Sequence, residues 1–331
     1  MHKGSKNNLV TTIVDWLIAA IIFVFGPALK VHAKWRIHFP LAQKSADFWS
    51  ISVRWHHYYE PTFNPKSIKR RLDEERDLPG IELNEAGQLA IIKNFKFADE
   101  LRAIPLDGDV DGEFAYNRGP FNSGDAETLY NFVRYLKPRR IVEVGSGMST
   151  LMARLAISAN QRDDPRYSCD HICIEPFEQP WLESTGAIII RELVENTDLT
   201  LFTNLQPNDI LFVDSSHVIR PQGDVLHEMF QIYPSLAGGV YVPVHDIFTP
   251  RDYLPDWILR GDRKLWNEQY LLEAFLSFNR EFEIVAAMNW LAHTHPEKLV
   301  EACPILMQQP GREPGSFWFR RKLDTGQKHE L

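Results

Sequence analysis

The stretch Ile141-Val-Glu-Val-Gly145-Ser-Gly147-Met-Ser-Thr150 limits what this chain can fold into more than any other. Ile141, Val142 and Val144 suit a strand covered on both faces, as in the interior of a parallel sheet. Gly145 and Gly147 let the backbone turn sharply and approach a ligand closely. Leu151 to Ala156 then reads as the first turns of a helix whose N-terminus faces that ligand. A Gly-x-Gly pair alone also fits an ordinary strand-to-helix turn. Glu143 just ahead of the first glycine, and Thr150 where a dinucleotide fingerprint wants its third glycine, argue against an NAD site.

Downstream, strands and crossover helices alternate in the manner of a parallel sheet. His171 to Ile174 reads as the second strand, Ala187 to Ile190 as the third, Ile210 to Val213 as the fourth and Gly239 to Val244 as the fifth. A helix from about Trp266 to Phe278, burying Trp266, Tyr270, Ala274 and Phe278 on one stripe, leads to a sixth strand, Phe282 to Ala287. Ser316 to Arg320 alternates and is expected to form an antiparallel seventh. The expected fold is α/β: a Rossmann-like, seven-stranded, mostly parallel sheet with an antiparallel last strand, plus an N-terminal helical or irregular extension.

Upstream of the first strand, Asn122 to Asp125 reads as the cap of a helix, Ala126 to Leu136, with Leu129, Phe132, Val133 and Leu136 at helical spacing. Residues 35–120 are rich in aromatics and turn residues and read as an accessory or lid region. Within them, Glu85 to Leu101 suits one amphipathic helix, and the basic run Lys66 to Arg71 meeting Asp73-Glu74-Glu75 suits a solvated helix face. His56 and His57 are adjacent, but nothing spaced around them completes a metal or catalytic set. Residues 121–322 are then expected to form the sheet-bearing domain, and 323–331 a polar tail.

From Leu9 to Leu29 the chain is strongly apolar, interrupted by Asp15, broken by Gly26-Pro27 and followed by Lys30, Lys34 and Arg36. The uncharged part, Trp16 to Leu29, is shorter than the about 20 residues a spanning helix needs, which favours a shallow, re-entrant or interfacial segment. Residues 1–34 are therefore expected to associate with a membrane; packing on the domain or cleavage as a secretory signal are the alternatives. The net charge of −8 argues against nucleic-acid binding. It is unevenly spread: Lys3, Lys6, Lys30, Lys34 and Arg36 against Asp15 make the first 40 residues +4, leaving −12 for the rest. Cys169, Cys173 and Cys303 form no disulfide framework and read as reduced thiols.

Glu-x-Gly-x-Gly looks like the first motif of class I S-adenosylmethionine-dependent methyltransferases, in which the acidic residue, here Glu143, reaches the cofactor's methionine end. More broadly, residues 56–320 resemble a bacterial family of methyltransferase-domain proteins associated with surface-polysaccharide genes. His57-Tyr-Tyr-Glu-Pro61, Arg76 to Asn84, Ser123-Gly-Asp125, Cys173-Ile-Glu-Pro176, Asp209 to His217, Val244 to Phe248 and Trp266 to Leu272 carry the resemblance. It implies S-adenosylmethionine as donor, with Gly145, Ser146, Gly147, Ser149, Thr150, Glu175, Asp214 and its neighbour Ser215 beside it.

In an open parallel sheet, ligands bind beyond the carboxyl ends of the strands. Glu175, one step past the second strand, can accept hydrogen bonds from both ribose hydroxyls. It lies farther past Gly147 than the usual ~20 residues, an excess attributed to a polar insertion, Ser158 to Ser168. Glu195 is a candidate for the adenine side, with Glu192 and Asp198 as competitors. The fourth strand runs into Asp214-Ser-Ser-His217 and the fifth into His245-Asp246. A sugar-type hydroxyl is a poor nucleophile until its proton is taken, so His217 or His245 is expected as general base, oriented by Asp214 or Asp246. Each histidine also suits a structural strand-end cap.

Asp214 and Asp246 form a candidate magnesium pair, with Asp224 either a further ligand or a helix start. Trp266-Asn-Glu-Gln reads either as an exposed helix start or as bringing Glu268 or Gln269 to an acceptor pocket. The whole reads as O-methylation of a sugar or glycoconjugate hydroxyl at the inner face of the cytoplasmic membrane. The partners are then a small-molecule or glycan acceptor and the membrane surface. N-methylation of an amino sugar and a non-catalytic scaffold are the alternatives.

Overall fold

The computed structural model describes residues 9–55, 57–177, 179–259 and 264–323. His56, the first eight residues and most of the polar tail lie outside them. Two compact units are formed, Met1–Arg71 and Leu72–Leu331.

The first unit is built on α1 (Leu9–Trp35), a helix of 27 residues and therefore about 40 Å long. The break expected at Gly26-Pro27 is absent, because Pro27 removes one backbone hydrogen bond while apolar turns on both sides carry the helix through. Its side chains are exposed, Trp16 at 73% and Phe23 at 86%, and of the whole helix only Ala33 is buried. A short α2 (Pro40–Phe48) follows. The basic run 66–71 forms no helix; only a 3-10 turn, Pro65–Ser67, interrupts irregular chain there.

In the second unit the amphipathic stretch 85–101 divides into α3 (Glu85–Ile92) and α4 (Ala98–Arg102). The chain turns between them and buries Phe95 against Phe132, 4.9 Å between ring centroids. Next come α5 (Asp125–Leu136), β1 (Arg140–Val144), α6 (Met148–Asp163), β2 (Asp170–Ile174) and β3 (Ile188–Ile190). The supposed polar insertion is thus in part the last turns of α6. After α7 (Thr200–Thr203) and β4 (Ile210–Val213), α8 (Asp224–His227) runs through a π-helical turn (Glu228–Ile232) into α9 (Tyr233–Ser235). Then follow β5 (Tyr241–Val244), α10 (Pro255–Leu259), α11 (Glu268–Leu276), β6 (Phe282–Ala287), α12 (Met288–Thr294) and β7 (Phe317–Arg321).

The seven strands lie in the order β3-β2-β1-β4-β5-β7-β6. All neighbouring pairs are parallel except those of β7, which runs antiparallel to both β5 and β6. The sheet is the expected mostly parallel, Rossmann-like one with an antiparallel last strand. Strands β1, β4 and β5 are buried almost throughout, because crossover helices cover both faces. Strand order reverses between β1 and β4, and a reversal of this kind opens a ligand crevice at the strands' carboxyl ends.

Helix α11 turns a different face inward from the one expected. Glu268, Gln269, Leu272, Glu273 and Leu276 are buried, whereas Tyr270 is 39% and Phe278 84% exposed. Polar contacts select this face. Glu273 accepts from Arg76 Nη1 at 2.9 Å and from Thr249 Oγ1 at 2.7 Å, while Arg76 also holds the Pro250 and Arg251 carbonyls. Arg76 thereby ties the start of this unit to the loop after β5.

At Gly145, φ is +78°, and a Cβ would stand 2.0 Å from the Asp214 carbonyl oxygen. Gly145→Ala is therefore expected to destabilise the unit by about 2 to 3 kcal/mol or more. Thermal melting should show it as a fall in Tm of roughly 4–12 °C; an unchanged Tm would mean that the bend is not built this way.

Candidate functional site

Each strand end is pinned to its neighbour by one backbone bond just past the last paired residue. Gly145 N donates to Ile174 O (3.0 Å), Glu175 N to Ile190 O (3.0 Å), Asp214 N to Val144 O (2.8 Å) and His245 N to Val213 O (2.9 Å). The residues expected to carry chemistry thus stand in one row along the carboxyl edge of β2, β1, β4 and β5.

The bend between β1 and α6 is held from below. Gly147 N donates to Thr150 Oγ1 at 3.1 Å, and Thr150 Oγ1 donates to Glu143 Oε2 at 2.6 Å. The same carboxylate oxygen meets His171 Nε2 at 3.0 Å and the Cys173 thiol at 3.3 Å. Glu143 and Thr150 are buried and shape the bend from beneath, and Ser149 is buried beside them. Strand alternation explains this: Glu143 pairs with Cys173 across β1 and β2, and its side chain lies on the face that carries His171. A Cβ on Gly147 would meet nothing within 4 Å. All three cysteines are free, and burial pushes the Cys173 and Cys303 thiols up, so neither is a ready thiolate.

Beside the bend lies a cavity of about 340 Å³ lined by Gly145, Glu175, Glu195, Asp214, Ser215 and Ser216, among others. Glu175 accepts from Ser146 N (3.0 Å) through one oxygen and from Phe177 N (2.9 Å) through the other, which fixes its carboxylate at the cavity wall. Ser146 Oγ and Glu195 Oε2 are buried without a partner among the described residues. A cleft of this size, with two unmet polar atoms around it and a bend open at Gly147, fits an adenosine-bearing cofactor.

Asp214, His217, His245 and Asp246 converge past β4 and β5. His217 Nε2 lies 3.2 Å from Asp214 and 3.8 Å from Asp246, while its Nδ1 lies 2.8 Å from Glu268. His245 Nδ1 is 3.5 Å from both Asp214 and Asp246, and its Nε2 is 3.4 Å from Asp125. His217 (φ +60°) and Asp246 (φ +58°) both occupy the left-handed region, a strain that the surrounding contacts hold in place.

Burial alone would lower the His217 pKa, but Asp214 and Glu268 outweigh it and push it up to about 10. His245 is likewise raised against its burial by Asp246 and Asp214. Burial would raise Asp214, yet His245 and His217 hold its carboxyl well below the usual range. Asp246 is raised, by burial first and by Asp214. Both histidines are thus cationic near neutrality, and Asp246 is the carboxylate of this group with enhanced proton affinity.

Among the described residues, Asp214, His217 and Asp246 present ligand atoms within 4.8 Å of one another, a donor set suited to a divalent cation that displaces the His217 proton. Glu268 on the other histidine nitrogen is the carboxylate–histidine arrangement that orients such a ligand. Asp224 stands outside this set: it begins α8, and its oxygens accept from Ser216 N (2.9 Å) and Ser216 Oγ (2.7 Å).

Four neighbours gave little signal in the sequence. Asp125 is the first residue of α5, yet it accepts from Ser316 N at 2.7 Å and faces His245. Glu268 and Gln269 are buried rather than at an exposed helix start: Glu268 holds His217, and Gln269 accepts from Phe248 N at 2.7 Å. Glu228, buried in the π-helical turn, accepts from Ser215 Oγ at 3.3 Å. A π-turn often marks a functional position, and the one that carries Glu228 is visible in the structure and not in the sequence.

The strand order, the reversal between β1 and β4 and the glycine bend define the fold of class I S-adenosylmethionine-dependent methyltransferases. Residues 142–247, spanning the bend, the cavity and the β4 and β5 ends, match a family model described as a methyltransferase domain. The chain is 28% identical over 167 residues to an uncharacterized protein of Archaeoglobus fulgidus, covering 46% of this chain and 74% of that one. Among solved structures, it is similar to an O-methyltransferase from Bacillus cereus in complex with SAH, at 11% identity and a TM-score of 0.36, over 70% of this chain and 91% of that one. A putative methyltransferase from Thermobifida fusca gives 14% identity and a TM-score of 0.35, over 72% and 88%. The protein is an S-adenosylmethionine-dependent methyltransferase.

A histidine whose folded pKa is about 10, against ~6.5 unfolded, binds a proton on folding between those values. Its stabilisation is complete below pH ~6.5 and disappears as pH rises through about 10. In divalent-free buffer, Tm should therefore fall from pH 7 to 10, by an amount worth a few kcal/mol at most. In His217→Asn the decline should be shallower; an identical pH slope would contradict a cationic His217.

Proposed function

We propose that the enzyme transfers the methyl group to a hydroxyl of a sugar or glycoconjugate, while α1 holds it at the inner face of the cytoplasmic membrane. The observation carrying the chemistry is the convergence of Asp214, His217, His245 and Asp246 beside the bend. S-adenosylmethionine, when bound, supplies a sulfonium carbon open to in-line attack. Glu175 and Ser215 at the cavity suit its ribose and neighbouring groups, Glu195 its adenine side, and Gly145, Ser146 and Gly147 its close approach to the backbone. Glu143, Ser149 and Thr150 keep the bend in shape.

Asp246, with its proton affinity raised and its side chain partly accessible, takes the hydroxyl proton. The His217 and His245 cations stabilise negative charge on the attacking oxygen, with Glu268 and Asp125 holding their rings. A magnesium ion would instead be held by Asp214, Asp246 and a deprotonated His217, and it would then lower the pKa of a coordinated hydroxyl in place of the Asp246 base and the His217 cation. Fixed geometry at the acceptor oxygen supplies much of the remaining rate.

For the membrane, α1 is longer than the ~30 Å hydrocarbon core and exposes Leu, Ile and Phe along its length. One apolar N-terminal helix is compatible with spanning and with surface attachment alike.

Two outcomes follow. Mass spectrometry of surface glycans from cells with and without the protein should show a 14-dalton difference, lost with Asp246→Asn at a cost of about 10²-fold or more in turnover. Unaltered glycans would refute the acceptor class, and an active Asp246→Asn the assignment of the base. On fractionation, deletion of residues 1–34 should move the protein from membrane to supernatant; full-length protein already in the supernatant would refute the anchor.

A further inference from the structure

Beneath the glycine bend, β1 and β2 bring three metal-ligating side chains to one point. Glu143 comes from β1, and His171 and Cys173 come from β2, where Cys173 pairs with Glu143 across the ladder. Side chains alternate along a strand, so His171 and Cys173, two apart, share the face that carries Glu143. Glu143 is 1%, His171 2% and Cys173 0% exposed.

Their spacing suits a small soft cation. His171 Nε2 lies 3.0 Å from Glu143 Oε2, and Cys173 Sγ lies 3.3 Å from that oxygen and 3.7 Å from the same nitrogen. A triangle with these sides has a centre about 2 Å from each corner, and zinc bonds to oxygen, nitrogen and sulfur are ~2.0–2.3 Å long. The three donors thus stand at coordinating distance from a common point as they are.

Hydrogen bonding alone accounts poorly for this arrangement. Thr150 Oγ1, His171 Nε2 and Cys173 Sγ all converge on Glu143 Oε2, whereas Oε1 of the same carboxylate is buried and has no partner among the described residues. The carboxyl group itself fixes Oε1 beside Oε2, so a cation at the centre acts on both oxygens. Glu143 Oε1 and the Ser146 and Thr150 hydroxyls beside the sulfur are the donors available for a fourth bond. Thr150 Oγ1, 2.6 Å from Glu143 Oε2, also orients the carboxylate, as outer partners of metal ligands do. His171 Nδ1 has no partner among the described residues, so burial rather than a hydrogen bond fixes that ring.

Charge and softness choose the ion. One thiolate, one carboxylate and a neutral imidazole balance a divalent cation, giving a neutral centre where solvent does not reach. Sulfur and imidazole favour zinc over magnesium, the reverse of the oxygen-rich group of Asp214 and Asp246. Binding displaces the thiol proton of Cys173.

We propose that Glu143, His171 and Cys173 bind a structural zinc ion that staples β1 to β2 directly below the cofactor bend. Glu143 stands two residues before Gly145 and Cys173 two before Glu175, so the ion fixes the two strand ends that carry the cleft. The assignment is independent of the acceptor class.

The test uses full-length protein purified in detergent from zinc-supplemented and, separately, cobalt-supplemented cultures. Mass-spectrometric metal analysis should find about one zinc per chain, retained in Asp246→Asn and reduced at least about tenfold in Cys173→Ala. The cobalt form should show a thiolate-to-cobalt charge-transfer band that survives Cys169→Ala and Cys303→Ala and vanishes in Cys173→Ala. The wild-type band decides the matter if Cys173→Ala fails to melt cooperatively. Wild-type protein without bound zinc, a cobalt form without the thiolate band, or full metal content in a folded Cys173→Ala variant would each overturn the assignment. Zinc lost with Asp246→Asn but kept in Cys173→Ala would place the ion in the other cluster and overturn it as well.

Discussion

The Gly145 backbone passes so close to the Asp214 carbonyl that no side chain fits between them, and the site is built outward from that contact. It lies where strand order reverses, so the connections leaving β1 and β4 diverge there and the strand ends can face one ligand. The 2.8 Å bond from Asp214 N to Val144 O fixes the two strands in register, and Glu175 and His245 are set by equivalent bonds on either side. A small error at this junction would displace the cavity wall and the acid–histidine group together.

Around the junction the protein spends buried charge on position. Glu143 holds the bend through Thr150, Glu268 and Asp125 hold the two histidines, and Glu273 holds Arg76 and the loop after β5. A buried carboxylate without partners would be strongly disfavoured, and each of these has donors. Left-handed backbone at His217 and Asp246 is the cost of turning their side chains back toward the strand ends.

Much of this was legible in the sequence where burial on two faces dictates composition. The apolar runs of β1, β4 and β6 announce themselves, and the first residues past the strands follow from the general rule for open sheets. The inward face of α11 was not legible. Trp266, Tyr270, Ala274 and Phe278 make a plausible apolar stripe, yet the helix buries two glutamates instead, because their partners His217 and Arg76 are distant in sequence. Asp125 was hidden for the same reason: a helix-capping position and a histidine partner carry one residue type. The division of α3 from α4 depends on where Phe95 finds Phe132, which no local pattern specifies.

The central claim is that the bend and the Glu175 carboxylate form one cofactor cleft, and isothermal titration with S-adenosylhomocysteine tests it most directly. The wild-type protein should bind one equivalent, and Glu175→Ala should bind at least about tenfold more weakly, the cost of losing a charged hydrogen-bonding partner. No heat of binding at millimolar ligand, or equal affinity in a folded Glu175→Ala variant, would contradict the account.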